Sequence, residues 1–120
     1  SYGNTWTTND IIGVSFDLDN NFIYFSKNGT FQNSGVPTSG ATGTGGISIT
    51  TTGINYRPAV MNNNYNSTSS AYLNFGNGFF GTTAVASATT DESGLGTFEY
   101  TVPAGYYSLC TKNINTQEYS

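Results

Sequence analysis

Residues 10–29 read DIIGVSFDLDNNFIYFSKNG, two apolar runs separated by Asp19-Asn20-Asn21 and closed by Lys27-Asn28-Gly29. Ile12, Val14, Phe16 and Leu18 alternate with Gly13, Ser15 and Asp17, so four apolar side chains share one face of an extended strand. Phe22-Ile23-Tyr24-Phe25, aromatic and β-branched, supplies the returning strand. Asn20-Asn21 suit the φ > 0 positions of a tight turn, and Lys27-Asn28-Gly29-Thr30 is a second turn of the same kind before Phe31 resumes. The pattern predicts a three-strand antiparallel meander whose apolar set, Ile12 to Leu18, feeds the core.

The bulk composition narrows the class. A chain of 120 residues has room for one domain with one core. Charged residues are only 8%, so Gly, Ser, Thr and Asn must supply solubility, as in secreted or particle-surface β proteins. Nine Tyr and eight Phe provide the apolar surface for a packed core. With three cations in all (Lys27, Arg57 and Lys112) and a net charge of −4, the chain has little with which to neutralise phosphates. Nucleic acid and anionic membrane surfaces are therefore not expected as partners. No run approaches the ~20 apolar residues of a spanning helix, so membrane insertion is not expected either. The N-terminus lacks the basic and apolar regions of a leader, and Ser1 stands where an initiator Met would, so a processed or partial chain is expected. Cys110 is the single cysteine; in the alternating run Tyr107-Ser108-Leu109-Cys110-Thr111 it reads as a buried, inert thiol.

Beyond the meander, residues 32–46 (QNSGVPTSGATGTGG) have no periodicity and predict an exposed loop. Ile47-Ser48-Ile49 predicts a short strand, and residues 56–61 (YRPAVM) another, with Pro58 at its beginning or on an edge. Residues 62–70 (NNNYNSTSS) read as a polar turn, and residues 71–76 (AYLNFG) as a strand with Leu73 and Phe75 on one face. After a small, polar stretch, Asp91-Glu92-Ser93-Gly94 reads as a turn, residues 96–102 as a strand, Pro103-Ala104-Gly105 as a turn and residues 106–110 as a last strand. Apolar recurrence at helical spacing is absent, save for room for a short helix in residues 83–90.

Trp6, Asp10-Ile11-Ile12-Gly13-Val14, Phe16-Asp17-Leu18-Asp19, Ile23-Tyr24-Phe25-Ser26-Lys27-Asn28-Gly29, Tyr56-Arg57-Pro58-Ala59-Val60 and Leu73-Asn74-Phe75-Gly76 stand in an order and spacing that resemble the second half of a SPRY domain. The resemblance implies an all-β fold: a partial, SPRY-like antiparallel β-sandwich over residues 1–80, a polar connector over 81–95, and a C-terminal β extension over 96–120 packed on the same domain. SPRY domains have several strands before the Trp6 region. Their place would be taken either by a segment outside this chain or by a partner, since an uncovered sheet edge invites aggregation. Residues 96–115 (GTFEYTVPAGYYSLCTKNIN) further resemble a segment that follows SPRY modules in bacteriophage proteins, which implies a virion-surface or extracellular location.

Catalytic patterns fail on the residues themselves. The chain has no His, which removes Ser-His-Asp and Cys-His activation. Asp17 and Asp19 share one side of a strand as a glycosidase pair would, but they read as a solvated face leading into a turn. Asp17-x-Asp19-x-Asn21 opens like a calcium loop, yet Phe22 and Asn28 occupy the positions that require Gly and Glu. Residues 40–46 (GATGTGG) lack the Lys-Ser/Thr ending of a phosphate loop. No enzyme activity, cofactor or metal is expected.

What remains is binding and assembly. The resemblance implies that recognition belongs to loops at one end of the sandwich, with Trp6, Asn33, Thr38, Thr42, Asn63, Tyr65 and Asn66 as candidate contacts. Aromatic faces beside amides and hydroxyls suit protein or sugar ligands. The expected function is that of a non-enzymatic phage virion or tail-fibre component recognising host-surface protein or glycan. The alternative is a purely structural subunit, of a fibre or a capsid decoration, whose sheet is completed by neighbouring chains; either way the partners include other virion proteins and an oligomeric assembly is expected.

Overall fold

Strand β1 (Ile12–Asp17) pairs antiparallel with β2 (Phe22–Lys27), Ile12 opposite Lys27 and Asp17 opposite Phe22, in a computed structural model that describes residues 2–61 and 66–119. The expected meander forms: β3 (Thr30–Phe31) pairs with the end of β2, and β4 (Ile47–Ser48) pairs with its beginning. β2 is thus central, and β1 forms one edge of the sheet. Each turn is set by side chains as well as by backbone. Asp17 Oδ1 accepts from the Asn20 N–H at 2.9 Å, and of the two asparagines only Asn21 takes a positive φ, 67°. At the second turn Asn28 and Gly29 lie at φ 49° and 81°, as the two-residue hairpin loop requires. Asn28 Oδ1 accepts from the Ile11 N–H, while its Nδ2 donates to Asp10 Oδ1 at 2.7 Å. Lys27 Nζ adds an ion pair to Asp10 Oδ2 at 3.1 Å, so the open end of the hairpin is locked by three side chains.

The face expected to feed the core is not the one most deeply covered. Val14 remains 51% exposed and Leu18 55%, with Tyr2 against Phe25 and Tyr56 against Phe16 as partial cover. The fully buried side chain is Tyr24, which shares the opposite face with Ser26, Phe22 and the small residues Gly13 and Ser15. Residues 32–46 lie over that face. They are not the solvated loop that their composition predicts but a strap of two 3-10 turns, Gln32–Ser34 and Pro37–Thr42, with Pro37 buried. Glycine makes the contact possible: a Cβ at Gly46 would stand 2.8 Å from the Tyr24 ring, and one at Gly45 2.4 Å from the Asn33 carbonyl oxygen.

The rest of the chain departs further from expectation. Residues 56–61 and 71–76 form no strand, and residues 106–110 form none either. Instead, polar side chains fasten the backbone, as where Asn74 Oδ1 accepts from the Gly76 N–H at 2.7 Å and its Nδ2 donates to the Thr97 carbonyl. A short unforeseen hairpin joins β5 (Phe79–Phe80) to β6 (Thr83–Ala84), where a helix had room. The C-terminal β extension reduces to one bridge between Thr89 and Phe98, followed by helix α1 (Thr111–Tyr119). Two tyrosines bring this part against the first sheet: Tyr106 donates to the Pro37 carbonyl at 2.9 Å, and the Tyr100 ring sits over Gly29. Burial, with Asp17 and Tyr24 nearby, pushes the Tyr106 hydroxyl up to about 12. Regular structure is therefore mostly strand, all of it antiparallel, with a small core. The accessible surface is 8609 Å², against about 6,300 Å² for a folded monomer of this mass.

The strap's close approach is directly testable. Gly45→Ala combines a positive φ with backbone contacts that cannot yield, and is expected to cost about 3 kcal/mol in urea unfolding. Gly53→Ala has the same sign of φ and open space around it, and should cost about 1 kcal/mol.

Candidate functional site

The loop residues singled out by the sequence fall into separate groups. Trp6 is 64% exposed on an N-terminal arm held by Asn4 N–H to Gln32 Oε1 and by Lys27 Nζ to the Thr5 carbonyl. Asn33, Thr38 and Thr42 lie on the outer side of the strap, all exposed, with Asn33 at φ 55°. Gln32 thus joins the arm to the strap immediately beside Asn33. Asn66 is exposed, and Asn63 and Tyr65 lie outside the described residues. The arm and the strap are the candidates that the fold brings near each other.

Two concavities accompany them, neither foreseen. One, about 370 Å³, lies beside the first hairpin turn and is lined by Asn20, Asn21, Ser48, Ile49 and residues 50–52, all threonine at the last three positions. Its polar groups are neutral amides and hydroxyls, with Thr51 Oγ1 donating to Asn21 Oδ1. The other, about 460 Å³, is an apolar groove between residues 73–77 and the start of α1, walled by Leu73, Phe75, Leu95 and Leu109 with Lys112 at its rim. Each had a partial sequence signal: for the first, a run of Thr following a short strand, and for the second, Leu73 and Phe75 at a spacing of two.

Of the two carboxylates weighed as a glycosidase pair, Asp17 serves the chain's own backbone, as do Asp91, Glu92 and Glu99. Asp17 caps the first turn through Asn20. Glu92 accepts from the Gly105 N–H, and Glu99 from the Ala86 N–H. Asp91, 5% exposed, is the most engaged. Its Oδ1 takes the Ser93 and Leu95 N–H groups, both at 2.9 Å, and the Ser93 hydroxyl; its Oδ2 takes the Ser108 N–H and Oγ, both at 2.7 Å, and Asn113 Nδ2 at 2.8 Å. Burial disfavours its charge, but the hydrogen bonds from Ser93, Ser108 and Leu95 outweigh that and hold the carboxyl far below the usual carboxylate range. Asp10 is drawn down to about 2 by the Thr7 N–H, then by Asn28 and Lys27.

Cys110 is not the buried thiol that its alternating surroundings suggest. It is partly exposed at the N-terminus of α1, where its carbonyl accepts from the Ile114 N–H. The Asn113 N–H and the Ser108 hydroxyl lower its pKa. Among the described residues, no group of three His, Cys, Asp or Glu could hold a metal ion, and no helix is long and apolar enough to cross a membrane.

Comparison with protein-family models, with curated proteins and with solved structures gives no match.

Acid should act through the two anchored carboxylates. Both have folded pKa values below their ordinary 3.8, so their stabilisation is complete above about pH 4 and is lost as the pH falls, over about pH 4 to 2 for Asp10 and further down for Asp91. Asp91→Asn turns an amide N–H₂ toward existing donors and should cost about 3 kcal/mol at pH 7. Urea unfolding at pH 7 and pH 3 should show the variant losing less stability on acidification than the parent chain.

Proposed function

We propose that this chain is a non-enzymatic binding and structural module, the C-terminal half of a SPRY-like sandwich in a phage virion or tail-fibre component, and that it recognises host-surface protein or glycan. The observation that carries the reading is the neutral, hydroxyl- and amide-lined concavity beside the first hairpin turn, together with the exposed Trp6. Sugars are bound by dense neutral hydrogen bonding, which the concavity offers, and by stacking of their apolar faces on aromatic rings, which Trp6 offers at the other end of the hairpin. The carboxylates support a non-catalytic reading, because Asp10, Asp17, Asp91, Glu92 and Glu99 all accept hydrogen bonds from the chain itself. SPRY-like character rests on the six sequence blocks, three of which fall on the β1–β2 hairpin.

A second reading, a subunit whose sheet is completed by neighbouring chains, is favoured by the 8609 Å² surface, about 2,300 Å² more than a folded monomer of this mass exposes. Both readings fit a particle surface.

A glycan array and binding to intact bacterial cells test the first reading. Binding to neutral glycans or cells is expected, with Trp6→Ala and Thr52→Ala each weakening it about tenfold, equivalent to ~1.4 kcal/mol. Absence of signal above control on both supports would sink it.

A further inference from the structure

The outer edge of β1 is unpaired among the described residues, and its geometry is specific. Asn28 N–H donates to the Ile11 carbonyl, which makes Ile11 and Asn28 a hydrogen-bonded pair of the β1–β2 ladder. Antiparallel pairs alternate, so Gly13, Ser15 and Asp17 bond to β2, and the N–H and C=O groups of Ile12, Val14 and Phe16 point outward. The other side of β2 agrees: Ile49 N–H donates to the Asn21 carbonyl, so odd-numbered β2 residues face β4 while even-numbered ones face β1.

The middle of this edge carries none of the features that keep strands apart, its charges, Asp10 and Asp17, standing at the two ends. Residues 11–16 contain no charge, no Pro and no bulge, and β1 runs six residues. It is also symmetric in side-chain size about Val14: Ile12 and Phe16 are large, Gly13 and Ser15 small. We infer that β1 is the interface between two copies of this chain, paired antiparallel about a two-fold axis at Val14, so that two four-stranded sheets join into one. This specifies the second reading above, assembly through neighbouring chains, and rests on it.

In this register Val14 faces the partner's Val14 and Ile12 faces the partner's Phe16. Each outward N–H and C=O of Ile12, Val14 and Phe16 meets a complementary group, because residues that were non-hydrogen-bonded toward β2 become the hydrogen-bonded pairs of the new ladder. Asp17 falls opposite the partner's Ile11 and Asp10 opposite the partner's Leu18, so no like charges meet. The half-covered face of Val14, Phe16, Ile23 and Phe25 becomes continuous across the axis. A shift by one residue would set apolar against small side chains on opposite faces, which disfavours it. A second copy is the occupant because the register closes on itself, with apolar side chains meeting apolar ones and no like charges opposed.

Light scattering and register-specific cross-linking of the 120-residue chain test this, the latter in a Cys110→Ser background. The parent chain should have twice the 12.8 kDa monomer mass. Val14→Lys, at an exposed site, should give a folded monomer by circular dichroism. Val14→Cys should cross-link under a mild oxidant, since hydrogen-bonded pairs set Cα atoms about 5.5 Å apart, within disulfide reach. Ile12→Cys should not, because its two copies lie about 13 Å apart along the ladder. A monomeric parent chain would overturn both this pairing and the assembly reading. An oligomer unaffected by Val14→Lys, or cross-linking at residue 12 as efficient as at residue 14, would overturn the β1 pairing while leaving assembly by another surface.

Discussion

Closure of a glycine-rich strap over Tyr24 is the contact on which the first half of this protein depends. Tyr24 is fully buried, and glycine backbone of the strap lies directly on its ring, with the Ser39 hydroxyl 3.5 Å from its own. Gly43 and Gly46 bring the chain against the rings of Phe22 and Tyr24, to distances at which any Cβ would collide, and Gly35 lies in van der Waals range of the Tyr24 ring. Dispersion contacts of that kind are individually weak and collectively large, and here they are concentrated on two rings. The strap in turn exposes Asn33, Thr38 and Thr42, and offers the Pro37 carbonyl to Tyr106.

Where strands are short, polar side chains take over the role of ladders. Asp10 ties the ends of the hairpin, Asn74 ties residues 76 and 97, and Asp91 gathers the turn at residues 91–95, Ser108 and the first turn of α1 around one carboxylate. Charge-assisted hydrogen bonds are worth more than neutral ones, so a chain with 8% charged residues concentrates its few carboxylates at backbone junctions. The outer surface is left to amides, hydroxyls and aromatic rings, and that neutrality shapes both proposed kinds of contact, with a ligand and with another copy.

The hairpin was legible in the sequence because its signals are local: period-two alternation, Asn28-Gly29 in the turn and Asp17 three residues before Asn20. Which face of β1 would be covered was not. Alternation groups residues by face, but the cover came from a segment without periodicity, whose fit depends on absent side chains rather than on apolar ones. Residues 56–61, 71–76 and 106–110 carry strand-like patterns but find no ladder partner, and tertiary context overrides such propensity. Helix α1, TKNINTQEY, has no apolar repeat, and its start is tied to Asp91, 22 residues away, through Asn113. The turn at residues 91–94 was readable from Asp-Glu-Ser-Gly; its role as a hub was not, because its partners at residues 108 and 113 are distant in sequence. Among the candidate contacts, Trp6 and the strap residues are exposed as expected, while the Asn20–Thr52 concavity emerges only once β4 pairs beside the first turn.

The central claim is that the glycine-rich strap, not a facing sheet, covers Tyr24. Proton NMR measures this directly through nuclear Overhauser contacts between the Tyr24 ring and the α-protons of Gly35 and Gly46. Strong cross-peaks, with the Gly46 α-protons shifted upfield by the ring, are the predicted result. Gly46 α-protons at unstructured-chain shifts, with Tyr24 cross-peaks confined to β1 or leading to a second sheet, would contradict it.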